Sequence, residues 1–237
     1  MLKYGVVRNQ TDINDIQAGI IRRLFLHETL RFSEINDTDV SSDQFSYHLR
    51  RLIKYNLVEK DQAGHYKLSV MGRSQAVLMD SQTNKFIDQG FVAVRVVLSK
   101  TEDGQTKYLV QKRTRVPYMG YIGEPGGKVL LGEDVPMAAK RNMLAETGLD
   151  CDITIRGLAH YRDTYKDELV QDKYFFVAQA SNPKGTLKGV GLTGDNFWLT
   201  LDEIKTGPLH QGVPELLEIA EGTSFTYRED TFAVDEY

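Results

Sequence analysis

Cysteine is nearly missing from this chain of 237 residues: Cys151 stands alone. That excludes an intramolecular disulfide framework and fits a reducing compartment. Long apolar runs are missing as well. No stretch approaches the roughly 18 apolar residues that span a bilayer. The opening Met1-Leu-Lys-Tyr-Gly lacks an apolar core segment, so a cytoplasmic protein without membrane contact is expected. There is no internal repeat, no low-complexity tract and no large excess of either charge. The 29 Lys and Arg against 33 Asp and Glu leave a net charge of −4, and nothing global points to nucleic acid. The bias that exists is local: residues 1–84 hold 11 basic against 10 acidic side chains, residues 85–237 hold 18 against 23. The N-terminal part is therefore the more tolerant of a polyanion.

What is present suits a globular protein of two small domains, with 41% hydrophobic and 26% charged residues. The polar stretch running from Asp80 to Gly90 marks the junction, because the apolar period changes across it. Residues 1–84 are taken as one domain and 85–237 as the other. After the junction, Phe91-Val-Ala-Val-Arg-Val-Val-Leu98 reads as a buried strand, and Tyr108–Arg113 as the returning strand of a hairpin.

Before the junction the spacing predicts a helix over Ile13–His27 and a short one at Ser33–Asn36. A third starts at the Ser41-Ser-Asp-Gln44 capping signal and ends near Tyr55, with Asn56 left-handed. A hairpin, Leu57–Lys60 and His65–Ser69, and a last helix over Val70–Asp80 complete the segment. This order over residues 12–80 resembles the winged helix-turn-helix family. Phe45, Leu49, Leu52 and Ile53 are expected to face the core from the third helix. Gln44, Tyr47, Arg50, Arg51 and Lys54 then fall on the opposite face beside Asp43, with Lys60, His65 and Lys67 on or near the wing. The resemblance implies that these residues contact DNA, Gln and Arg at base edges and Lys at phosphate. A solvated helix face, or a protein-binding module, is the plainer alternative.

The chemistry-bearing motif is Gly127-Lys-Val-Leu-Leu-Gly-Glu133-Asp-Val-Pro-Met-Ala-Ala-Lys-Arg141-Asn-Met143-Leu-Ala-Glu146-Thr-Gly148-Leu149. It resembles the Nudix box, whose pattern is Gly, five residues, Glu, seven residues, Arg-Glu-aliphatic-any-Glu-Glu-any-Gly-aliphatic. Gly127, Glu133, Arg141, Met143, Glu146, Gly148 and Leu149 match at the required spacing. The resemblance spans about residues 90–222. It implies an α/β/α sandwich and the cleavage of a nucleoside diphosphate linked to another moiety, with Mg²⁺ or Mn²⁺ neutralising phosphate charge. Positions 142, 145 and 146 share one helical face, and in a working box all three are glutamates. Here they are Asn142, Ala145 and Glu146. Asn cannot accept a proton as a general base and Ala offers no ligand, so Glu146 alone remains for a metal, and weakly. Glu133 and Arg141 are expected to hold the loop by an ion pair.

Arg113, Arg115 and Lys128 are the expected diphosphate partners. Tyr118, Tyr121, Tyr161 and Tyr165 are candidates either for stacking on a base or for core packing. Outside the box, Asp163, Asp167 and Glu168, between strands expected at Ile153–Arg162 and Val170–Ala178, are possible substitute acids or plain loop charges; Glu124 is another. The combination resembles the Nudix-related transcriptional regulators, although in the best known of these the Nudix domain comes first. The resemblance implies a homodimeric DNA-binding regulator sensing a nucleotide sugar or ADP-ribose-type metabolite. The alternative is a Nudix hydrolase that uses an acid outside the box.

Overall fold

The computed structural model describes residues 13–36, 40–80 and 89–234, so most of the expected junction, residues 81–88, lies outside the described residues. Contacts divide the chain into two compact units, Met1–Asp88 and Gln89–Tyr237.

In the first unit, Asn14 and Gln17 exchange the two bonds of a capping box at the start of α1 (Asp15–Leu26). A short α2 (Phe32–Ile35) leads to α3 (Ser42–Lys54), whose N-terminus is closed by the Ser41 hydroxyl accepting from the Gln44 amide. Asn56 takes the left-handed conformation, φ 56°, and turns the chain into β1 (Val58–Lys60). β1 pairs antiparallel with β2 (Tyr66–Leu68). Leu30 and Tyr66 exchange both backbone hydrogen bonds, which adds a third edge to this small sheet. α4 (Val70–Ala76) follows, shorter than the expected Val70–Asp80. Four helices and a small sheet thus form the winged helix-turn-helix arrangement around a core of Ile20, Ile21, Leu24, Ile35, Phe45, Leu49, Leu52, Leu57 and Tyr66.

One expected core residue is not in it. Ile53 is 38% exposed, while His48 is buried at 7% and meets Asn14 through its ring nitrogen. At 3.6 residues per turn Ile53 lies roughly 80° from Phe45, past the edge of the buried stripe, whereas His48 falls on its opposite flank.

The second unit is built on an eight-stranded mixed sheet. Its strands are β3 (Phe91–Glu102), β4 (Gln105–Arg113), β5 (Ile122–Gly123), β6 (Gly126–Lys128), β7 (Leu149–Tyr165), β8 (Glu168–Gly185), β9 (Gly194–Thr200) and β10 (Thr226–Ala233). The order is β10-β7-β8-β3-β4-β5, with β6 also on β3 and β9 also on β4. Alternate residues of β3 feed two cores. Val94, Val96 and Leu98 pack under α5 (Val135–Thr147) with Ala138, Ala139 and Met143. Ala93 and Val97 pack under α7 (Val213–Glu221) with Val213, Leu216 and Leu217. A strand covered on both faces needs apolar residues on both, which is why Phe91–Leu98 reads as a nearly continuous run. α6 (Leu201–Lys205) starts from a capping box between Thr200 and Glu203. Helices on both faces of the sheet make the α/β/α sandwich. Among the described residues no helix is long and apolar enough to cross a membrane.

The opening for a site comes from β3 and β4. They pair only from Ser99–Tyr108 to Glu102–Gln105 and then part. Beyond that point β6 takes the freed edge of β3 at Ala93–Arg95, and β5 takes that of β4 at Gln111 and Lys112.

Leu52→Ala is expected to destabilise the first unit by about 2–5 kcal/mol, through lost burial and the cavity left behind. Ile53→Ala should cost under about 1 kcal/mol, as an exposed position does. Denaturant unfolding followed by circular dichroism checks both; equal costs would return Ile53 to the core.

Candidate ligand-binding site

A cleft of about 780 Å³ opens where the sheet splits. Its walls include Arg95 of β3, Gln111 and Arg113 of β4, Gly126, Gly127 and Lys128 of β6, Asn142 and Glu146 of α5, and Asp172 and Lys173 of β8. Gln89 and Phe91, the beginning of the second unit, line it too.

Local sequence explains how α5 meets the cleft. Pro136 sits in the first turn, where its missing N–H costs nothing, and Gly148 closes the helix at φ 76°. Before the helix, Glu133 receives a two-pronged ion pair from Arg141, with Nε–Oε1 and Nη2–Oε2 both 2.7 Å, and also accepts the Leu130 amide at 3.0 Å. These bonds, the Arg141 pair foremost, hold the Glu133 carboxyl down to about 2. Arg141 also donates to the Lys128 carbonyl, so one guanidinium ties β6, the loop and α5 together.

The two remaining polar positions of the box are committed to the protein. Asn142 donates through Nδ2 to the Ala138 carbonyl at 2.9 Å and the Lys128 carbonyl at 3.4 Å, and accepts from Arg141 at 3.2 Å. Its amide lies so close over Gly127 that any Cβ there would collide with it. Glu146, 5% exposed, accepts the Thr193 amide and Gln111 Nε2 on Oε2, each at 3.0 Å, and the Thr193 hydroxyl on Oε1 at 3.0 Å. Asn196 donates to the Glu146 carbonyl at 2.9 Å. Ala145 supplies nothing. Among the described residues no three His, Cys, Asp or Glu side chains stand together as a metal-binding group. The Mg²⁺ or Mn²⁺ that a Nudix box implies wants clustered anionic oxygens. This set offers one carboxylate that already accepts three hydrogen bonds from the protein, and it does not fit such an ion.

The expected ligand residues divide. Arg113 and Lys128 line the cleft; Arg115 is exposed and is not part of its wall. β4 ends at Arg113, whose Nε donates to the carbonyls of Arg115 and Pro117, so the chain turns away just where strand alternation would have brought Arg115 back. Of the tyrosines, Tyr118 lines the cleft, whereas Tyr161 is wholly buried in the α7-side core. Tyr121 and Tyr165 are outside the wall.

The proposed substitute acids fare differently again. Asp163 is not a loop residue: β7 and β8 run longer than expected and place it fully buried, paired to Lys173 and accepting from the Tyr118 hydroxyl. Asp167 and Glu168 are exposed at the hairpin turn, where Lys166 and Asp167 have positive φ. Glu124 is 3% exposed and outside the cleft wall, and burial pushes its carboxyl up to about 7.

Three cleft groups were not foreseen. Arg95 lays its guanidinium over Phe175, 4.6 Å from the ring centroid, and donates to the Glu124 carbonyl at 3.3 Å. Lys173 is 1% exposed, and burial pulls its ammonium below the usual range against the opposing pull of Asp163. His210 is driven well below its usual value by burial, with Arg95 and Lys173 adding to the shift. The signal for the first two was available: a cation inside an otherwise apolar strand must be paired or functional.

On the first unit, Gln44, Tyr47, Arg50 and Lys54 are exposed along α3. Arg51 is engaged, lying 6.0 Å and 5.5 Å from the ring centroids of Tyr47 and Tyr55 and donating to the Tyr55 hydroxyl. On the hairpin Lys60 lies over Tyr66, Lys67 stands 3.8 Å from Glu59, and His65 meets Asp61 and Arg31.

The chain belongs to the Nudix family: the NUDIX domain model matches residues 91–219. Among solved structures it is similar to a MutT protein from Bacillus halodurans, at 20% identity and TM-score 0.50, covering 61% of this chain and 90% of that one. It is also similar to the Nudix domain of Shewanella oneidensis NrtR complexed with ADP ribose, at 19% identity and TM-score 0.49 over 56% and 87%. A MutT Nudix hydrolase from Burkholderia pseudomallei matches at 26% identity and TM-score 0.47, over 55% and 98%. No curated protein matches the sequence.

Glu124 and Glu133 carry opposite pH signatures. A carboxyl raised to about 7 in the fold costs nothing below its ordinary value of 4.5, and destabilises progressively as pH climbs from there through 7. Glu124→Gln should therefore raise the melting temperature at about pH 8 and leave it nearly unchanged at about pH 5. The Glu133 contribution is present above 4.5 and is lost as pH falls toward 2, so Glu133→Gln should weaken the fold at neutral pH and cease to matter in acid. Thermal melts across pH read both, and a gain from Glu124→Gln that did not vary with pH would remove the buried-carboxyl account.

Proposed function

We propose that this protein is a cytoplasmic, homodimeric, ligand-sensing regulator that binds DNA through its winged helix and a nucleoside-diphosphate-type metabolite in its Nudix cleft. The observation that carries the reading is the state of the box: Asn142 and Glu146 are spent on internal hydrogen bonds while a cleft of about 780 Å³ stays open beside them. A pocket retained without its ligating carboxylates supports binding rather than cleavage. Arg113 and Lys128 are the diphosphate contacts, and ADP-ribose or a nucleotide sugar is the class of ligand. Gln44, Arg50 and Lys54 are exposed on α3 and available to the major groove, with Lys60 and Lys67 near the flanking backbone. In a dimer, two such helices address half-sites about one helical turn apart. A ligand shifts DNA affinity only by binding one of two arrangements better than the other.

One observation favours the hydrolase reading. Asp172 lines the cleft and accepts a 2.6 Å hydrogen bond at Oδ1 from His160, an acid–imidazole pair outside the box.

Gel-shift and footprinting against the gene's own upstream region test the regulator, with a shift expected that changes when ADP-ribose or a nucleotide sugar is added. Arg50→Ala with Lys54→Ala should weaken DNA binding by roughly tenfold or more, since two phosphate or base contacts are lost. No protection at low salt, together with phosphate release from a dinucleotide that Asp172→Asn abolishes, would replace the regulator with the hydrolase.

A further inference from the structure

The cleft wall holds four cations, Arg95, Arg113, Lys128 and Lys173, against two carboxylates, Glu146 and Asp172. Lys173 is ion-paired to Asp163, while Asp172 bonds to the His160 ring and Glu146 accepts from neutral donors, so these two carboxylates keep their charge. Arg95, Arg113 and Lys128 remain, and among the described residues none of the three forms a salt bridge. They converge because of the split in the sheet. Arg95 and Lys128 stand on paired strands, β3 and β6, where Arg95 is in register with Gly126 and Ala93 with Lys128; Arg113 ends β4 across the gap. Two of them are fixed in orientation before anything binds. Arg95 is held by Phe175 and the Glu124 carbonyl, and Arg113 by the carbonyls of Arg115 and Pro117.

We infer that this cleft binds the diphosphate of its ligand directly, without a divalent metal, in a seat formed by Arg95, Arg113 and Lys128. The inference rests on the ligand-sensing reading and deepens it. The usual Nudix arrangement places carboxylates around metal ions and metal ions around phosphate, so charge alternates outward from the helix. Here two of those carboxylates are an amide and a methyl group, and the facing strands bring three cations that form no salt bridge, although Arg95 feels the buried Glu124 carboxyl. Cations thus outnumber carboxylates along the wall, an excess that favours a polyphosphate over a divalent cation. Preset guanidinium groups bind phosphate oxygens in pairs, and their fixed orientation removes much of the ordering cost on binding. Divalent metal does not assist such a seat; by complexing the phosphates in solution it lowers their charge and competes.

Calorimetric titration of the full chain with ADP-ribose and with inorganic pyrophosphate, each in EDTA and in excess Mg²⁺ or Mn²⁺, tests this. Binding in EDTA is expected to equal or exceed binding with metal. Arg95→Gln should weaken it roughly ten- to hundredfold, as losing a charge-assisted bond does. Lys128→Gln, at an exposed side chain the core does not need, should weaken it in the same direction and keeps the test open if Arg95→Gln fails to fold. Binding at least roughly tenfold tighter with metal than in EDTA overturns the inference. So does metal-free binding that Lys128→Gln and every folded Arg95 variant leave unchanged. Pyrophosphate bound without metal while ADP-ribose and nucleotide sugars fail keeps the anion seat and sinks the nucleotide ligand. No binding of either probe in any buffer overturns both.

Discussion

Everything at the cleft depends on β3 and β4 letting go of each other. Their ladder closes at Ser99–Tyr108, and from there each strand needs a new partner for its backbone groups. Short strands β5 and β6 supply those partners, and the chain joining them is forced into the gap. Gly126 and Gly127 are then required by contact: a side chain at the first would strike the Val94 carbonyl, and at the second the Asn142 amide. The cleft is thus lined in large part by strand residues of β3, β4, β6 and β8, with α5 and short connections closing the rest.

Within that frame the box has been put to a different use. Residues that would present oxygen to a metal present hydrogen bonds to the protein. Glu146 fastens the end of α5 to Thr193 and Gln111, and Asn142 fastens the middle of the helix to β6. A buried carboxylate without a cation is costly unless donors surround it, and Gln111 and Thr193 are the donors. The Glu133–Arg141 pair is untouched by this change, because it holds the loop and not a ligand.

Much of this could be read from sequence where local chemistry decides the outcome. Caps at Ser41, Pro136 and Gly148, the left-handed Asn56 and the box spacing are short-range signals, and each is realised in the fold. The misses have a common cause in tertiary context. Ile53 sits at the margin of a stripe whose width only the packing against α1 sets. Arg115 is expected beside Arg113 on the segment leading to the box, but β4 ends at Arg113 and the chain turns away. Asp163 was taken for a loop charge because polar residues near the β7–β8 turn hid how far the hairpin extends. Arg95 and Lys173 each place a cation in a strand with buried apolar neighbours, a signal that points to a partner or a ligand. β10 and α7 went unread; β10 is an edge strand with few buried positions, and only its parallel pairing with β7 identifies it.

Gln89 is the first residue of the second unit and part of the cleft wall, two positions before β3 begins at Phe91, which lines the cleft as well. The second unit therefore begins at the wall of its own cleft. Whatever occupies the cleft and whatever conformation Gln89 holds are linked equilibria, and such linkage is reciprocal: each changes the other by the same factor.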